Sequence, residues 1–136
     1  MKDETVTISE AARRAGVGVE TIRFYERKNL LGTTVRDASG YRRFGREDLN
    51  RIRFIRRAKD IGFSLAEIRE LLDLRVDTGR RCEDVRRKAE AKMSDIEERI
   101  RSLEAMEAAL RRLAALCIGE GPAGDCPFLD ALEHGT

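Results

Sequence analysis

From about Arg81 to Leu116 the chain contains neither proline nor glycine, and this stretch restricts the fold more than any other. Apolar residues fall at Val85, Ala89, Met93, Ile96, Ile100, Leu103, Met106, Leu110 and Leu113, in steps of 4, 4, 3, 4, 3, 3, 4 and 3. Alternating threes and fours over several heptads make a coiled-coil seam. Arg, Glu and Asp fill the other faces. A lone helix would leave that seam in water, so the pattern predicts a partner helix, most simply from a second copy of the chain.

The rest of the composition agrees with a mostly helical protein. The 136 residues (15.4 kDa) include two Pro and no Trp, and 38% are charged. That is too charged for a membrane protein, and no apolar run approaches the roughly 20 residues of a spanning helix. The N-terminal MKDETVTIS lacks the apolar core of a secretory signal. Three cysteines with no export signal read as reduced thiols in a cytoplasm, not as a disulfide scaffold. Charge is unevenly spread. Residues 11–60 hold 14 Lys/Arg against 6 Asp/Glu, while residues 81–136 hold 9 against 12. A basic front half suggests a nucleic-acid-binding head; a solvated basic face is the plainer alternative.

Three regions follow: a head over 1–80, a helix over 81–116 and a tail over 117–136. In the head, Thr7-Ile8-Ser9-Glu10 has the spacing of a capping box, and Gly16 suits a left-handed helix end. A second helix is expected from Val19 to about Lys28, completing a helix-turn-helix. Gly32 to Phe44, with turn formers Asp37, Ser39 and Gly40, reads as a small β-wing. A third helix should run from Arg46 to Asp60, burying Leu49, Ile52 and Ile55. Ser64 to Glu67 is a second capping box, ahead of the stripe Leu65, Ile68, Leu71 and Leu72. Beyond the long helix, a glycine-rich loop over 119–124 leads to a short last helix with Pro127 in its first turn.

Nothing looks catalytic. The sole histidine, His134, lies two residues from the end, and there is no nucleotide-binding fingerprint. Polar groups for reading double-stranded DNA are expected on the second helix at Thr21, Arg23 and Tyr25. Arg42 and Arg43 in the wing, with Lys59 on the third helix, would hold phosphates. A generic amphipathic helix pair is the competing reading. The cysteines carry the sharpest signal. Cys117 and Cys126 flank the glycine loop and can fold onto one ion. Cys82 and Cys117 lie 35 positions apart, roughly 50 Å along a continuous helix at about 1.5 Å per residue. With metal–sulfur bonds of about 2.3 Å, they cannot share an ion within one chain. They can meet if two long helices pair antiparallel, which gives two sites per homodimer. Three unrelated thiols remain the alternative.

The run ISEAARRAGVGVETIRFYERKNLL, then GYRRF, then FIRRAKDIGFSLAEIRELLDL, resembles the DNA-binding head of MerR-type transcription regulators over residues 6–75. The resemblance implies a winged helix-turn-helix head on an antiparallel dimerisation helix. It also implies binding to promoters whose two elements are spaced too far apart, and activation of bound RNA polymerase when an effector makes the dimer untwist the DNA. Gly18 departs from the family's usual Ser or Thr cap, and Thr33-Thr34 from a proline-containing turn. The paired Cys117 and Cys126 resemble the metal-sensing branch. Copper(I) and gold sensors usually lack a cysteine matching Cys82. Zinc sensors add a cysteine and a loop histidine, where this chain has Leu116 and none. The iron–sulfur branch has two further cysteines, where this chain has Gly119-Glu120-Gly121. Three thiolates without nitrogen resemble the mercury sensor, so Hg(II) is the expected effector, with Cd(II), Pb(II) and Zn(II) as alternatives. A metal-storage protein or an enzyme subunit built on the coiled coil is disfavoured by the basic head. A drug sensor needs a larger C-terminal domain than the 20 residues after Leu116.

Overall fold

Helix starts and stops in the head follow from local chemistry. The computed structural model describes residues 4–32 and 35–135, so the Thr33-Thr34 departure lies outside the described residues. Thr7 caps α1 (Ile8–Ala15) by accepting the Glu10 amide at 3.3 Å. Only half of the expected box forms. The Glu10 carboxylate turns instead to Arg13 and Arg14, which hold its pKa down at about 2. Gly16 ends α1 at φ +71°, and a Cβ there would lie 3.0 Å from the Arg56 guanidinium. α2 (Val19–Arg27) starts at Gly18 with no side-chain cap. At its far end Arg69 donates to the carbonyls of Lys28 and Asn29, and Arg51 donates to that of Leu30 at 2.7 Å. These bonds satisfy carbonyls that a helix end leaves open.

The wing is a two-stranded antiparallel ribbon, β1 (Val35–Arg36) and β2 (Arg42–Arg43), with Val35 opposite Arg43 and Arg36 opposite Arg42. Asp37 shapes its turn by accepting the amides of Ser39 at 2.9 Å and Tyr41 at 3.0 Å. Beyond β2, Phe44 pairs with Val6 through two backbone bonds, tying the wing to the N-terminal segment. α3 (Arg46–Asp60) buries Leu49, Ile52, Ile55 and Ala58 along one stripe. Before α4 (Leu65–Val76) the Ser64–Glu67 box forms in both directions, at 3.2 and 2.8 Å. Ile22, Tyr25, Leu30, Phe44, Ile52, Ile55 and Ile68 make the centre of the head's core. Among the described residues, no buried side-chain nitrogen or oxygen lacks a hydrogen-bond partner.

The chain divides into two compact units, residues 1–87 and 88–136. Most of α5 (Cys82–Ala114) belongs to the second. It is a 33-residue helix, so it runs about 50 Å. Its stripe stays largely open to water in the single chain: seven residues run from 38% exposed at Ile96 to 63% at Leu103, while Ala89 and Leu113 are half-buried. A short 3-10 turn (Ala123–Asp125) then leads to α6 (Pro127–His134), with Pro127 at the first position. Among the described residues no helix is long and apolar enough to cross a membrane.

Left-handed backbone disfavours any Cβ by about 1–2 kcal/mol. Gly16→Ala should therefore lower the head's unfolding free energy by about that much in urea titration. Gly32→Ala, at a position with open space around it, should leave it within about 0.5 kcal/mol.

Candidate nucleic-acid interface and metal centre

α2 presents two different faces. Ile22 and Tyr25 are three residues apart and point into the core, with Tyr25 only 2% exposed. Burial, and then the Asp60 charge, push its hydroxyl pKa up. The expectation that Tyr25 lies on the polar, DNA-reading side is corrected: its ring is core. Arg23 does face solvent, paired with Glu20 at 2.8 Å, and Thr21 is half-buried. Arg27 and Lys28 are also exposed and lie over the Phe24 ring, 5.9 and 5.7 Å from its centroid.

Arg42 is the second correction. Its side chain is buried, and its Nε donates to Glu26 of α2 at 3.1 Å. Its Nη2 donates to Asp48 of α3 at 3.2 Å, and the guanidinium lies over Phe44, 4.5 Å from the ring centroid. A guanidinium so engaged is a staple between wing, α2 and α3, not a free phosphate clamp. Arg43 is half-buried, and it donates to the Thr5 hydroxyl at 3.2 Å and carbonyl at 2.7 Å. Lys59 is exposed in the last turn of α3.

Two other wing residues are open to solvent where Arg42 is not. Tyr41 is 73% exposed, and Arg36 is exposed and donates to the Gly40 carbonyl at 2.8 Å. Arg23, Arg36 and Tyr41 line one shallow cleft between α2 and the wing. The signal was in the sequence: strand side chains alternate, so Arg42 shares a face with Phe44, and Tyr41 takes the other.

The cysteines separate into a pair and a single residue. Cys126 is the half-buried N-cap of α6, and Cys117 lies exposed just past the end of α5. The nearby amide of Phe128 chiefly, and then that of Leu129 and the Cys117 thiol, outweigh burial and hold the Cys126 pKa below the usual thiol value. The two thiols line a cleft shared with Ile118, Pro122, Phe128 and Leu129. Gly119 and Gly121, at φ +79° and +90°, let the loop return to bring them together. Cys82 is exposed at the first position of α5 and does not line that cleft. Asp130, Glu133 and His134 place ligand-type atoms within 4.8 Å of one another on α6, and all three are exposed. Sequence reading passed over that cluster, although the helical spacing of three and four was there to see.

A family model for MerR HTH family regulatory proteins matches residues 6–74, and one described as MerR, DNA binding, matches residues 49–113. The chain is 42% identical over 133 residues to a mercuric resistance operon regulatory protein of Pseudomonas fluorescens, covering 98% of this chain and 91% of that one. It is 38% identical over 131 residues to the HTH-type transcriptional regulator ZntR of Escherichia coli (strain K12), covering 95% and 93%. The crystal structure of the transcription regulator PbrR691 from Ralstonia metallidurans CH34, in complex with lead(II), superposes with a TM-score of 0.83. Identity there is 31%, over 93% of this chain and 98% of that one.

The two arginines should behave oppositely on substitution. Arg42→Ala leaves Glu26 and Asp48 without their cation, and should cost about 2–3 kcal/mol of stability in urea titration, toward the lower end of buried pairs because both carboxylates keep some water. Arg23→Ala should leave stability within about 0.5 kcal/mol.

Proposed function

The chain belongs to the MerR family of transcription regulators, and from that premise we propose that its effector is Hg(II), bound by Cys82, Cys117 and Cys126. The family is one of transcription regulators, not enzymes, and the likeness to mercuric-resistance, zinc and lead(II)-bound regulators makes this chain a metal-responsive one. The observation that carries the metal reading is the thiol pair: two cysteines lining one cleft, brought together by a glycine loop, beside a third thiol elsewhere in the chain. Thiolates with no nitrogen donor suit a soft ion, and three of them suit a trigonal one. Since α5 is continuous, Cys82 comes from one subunit of a homodimer and Cys117 and Cys126 from the other. The open stripe along α5 is the surface that the second copy covers.

The regulator works in the cytoplasm on double-stranded promoter DNA. Arg23, Thr21 and Lys59, with Arg36 and Tyr41 of the wing, face the duplex, and Arg42 and Arg43 hold the wing in place. Metal binding shifts the dimer toward a state that untwists the promoter for RNA polymerase. Pb(II) is the second reading for the effector, favoured by the likeness to a lead(II)-bound regulator. Cd(II) and Zn(II) remain further candidates, Zn(II) on the likeness to ZntR. A reporter titrated with each of the four ions separates them: Hg(II) should induce at the lowest concentration, and induction first by another ion reassigns the effector.

Mixing two cysteine variants tests the shared site. Cys82→Ala and Cys126→Ala homodimers should each lose tight Hg(II) binding and keep DNA binding. Their heterodimer regains one complete site and should bind one Hg(II) tightly. A mixture that regains nothing refutes a site shared between subunits. For the DNA surface, Arg23→Ala and Lys59→Ala should each weaken promoter binding in mobility-shift assays and reduce the salt slope by about one.

A further inference from the structure

The cleft beside Cys117 and Cys126 has a volume of about 480 Å³ and is walled by Ile118, Pro122, Phe128 and Leu129. That is the size of a small organic ligand's site, and although Glu120 also lines it, a bare cation leaves the apolar walls unfilled. The thiol pair opens into this cleft on a single chain, with Cys117 exposed and Cys126 half-buried. We propose that the pair also captures monosubstituted arsenic(III) compounds, with an aryl substituent lying in the cleft.

The valences match. Trivalent arsenic carrying one carbon group reaches water as R–As(OH)2 and has two positions to exchange. Two As–S bonds form and two As–O bonds break. The two thiol protons leave with the two hydroxyls as two waters, and nothing is oxidised or reduced. Two thiols complete the arsenic, so Cys82 has no part in it and a second subunit is not required. An organomercury cation needs one thiolate and would leave the other idle. Inorganic arsenic(III) would ask for a third thiol and has no group for the cleft.

The test uses reduced full-length protein with phenylarsonous acid, without mercury or DNA. Titratable thiols should fall from three to one per chain, and the intact mass should rise by one phenylarsenic group less two protons. Cys82→Ser should leave capture unchanged. Cys117→Ser and Cys126→Ser should each weaken it by about a hundredfold or more, the advantage of closing a second bond within one molecule. Phenylarsonous acid should bind about tenfold more tightly than methylarsonous acid through burial of the ring. Leu129→Ser, at a half-exposed wall position, should shrink that preference and leave the methyl compound unaffected. Loss of capture in Cys82→Ser, tight capture in either loop variant, or equal affinity for phenyl and methyl compounds would overturn the proposal. The proposal does not rest on the mercury reading. Failure here leaves the three-thiolate Hg(II) site standing, and Hg(II) binding that ignores Cys82→Ser leaves this one standing.

Discussion

One buried guanidinium sets the geometry of the DNA-binding head. Arg42 lies among Phe44, Glu26 and Asp48, on the strand, the helix and the helix start that must hold still relative to one another. An arginine taken out of water costs several kcal/mol unless its hydrogen bonds are met. Here carboxylates from α2 and α3 meet them, so the wing cannot tilt without breaking a charged contact. The planar fork of arginine reaches two carboxylates in fixed directions, which the point charge of lysine would not do. The neighbouring strand residues add to this: Arg43 is bonded to Thr5, and Phe44 is paired with Val6. Arg23, Arg36 and Tyr41, the proposed DNA surface, are therefore carried on a frame with little freedom of its own, as reading a stiff duplex would require.

That same residue shows where sequence reading stops. Features set by near neighbours were legible: the bounds of α3, the Ser64–Glu67 box, Pro127 at the start of α6 and the stripe along α5 all depend on residues within a turn or a heptad. The Thr7 box was legible only in half. Its spacing is right, but Arg13 and Arg14 offer the Glu10 carboxylate a charge-assisted bond, stronger than a return to the capping amide. Arg42 and Tyr25 were misread for a different reason. An arginine in a basic stretch reads as solvent-facing until its partners are known, and those partners lie 16 and 6 residues away. The tyrosine reads as polar until the helix is rotated to put Ile22 inside.

The cysteines of the proposed metal site were legible as types and spacing, and only partly as geometry. A glycine loop between two cysteines is a local feature, and the fold places Cys117 and Cys126 in the lining of one cleft. What the residues alone did not disclose is the unequal standing of the pair. Cys126 stands at the start of a helix, where nearby backbone amides favour its thiolate, while Cys117 lies in the open. The asymmetry comes from α6 starting at Pro127. A helix starting there leaves the amides of the next two residues without helical partners, close to the sulfur of the residue before it.

In the proposed mercury site the third thiolate has a role the pair cannot fill. A ligand shifts a conformational equilibrium only by as much as its affinity differs between the two states. An ion held by Cys117 and Cys126 alone would bind one chain's loop in either state of a dimer, with the same partners each time. Binding could then be tight and still carry no message to the promoter. A ligand from the start of the partner's α5 changes this, because that residue leads directly out of the partner's DNA-binding head. The bond to Cys82 forms only when that head and the loop take up one particular placement. The difference between two-thiolate and three-thiolate binding is then the free energy available to move the heads, and it is largest for an ion soft enough to prefer a third sulfur to water.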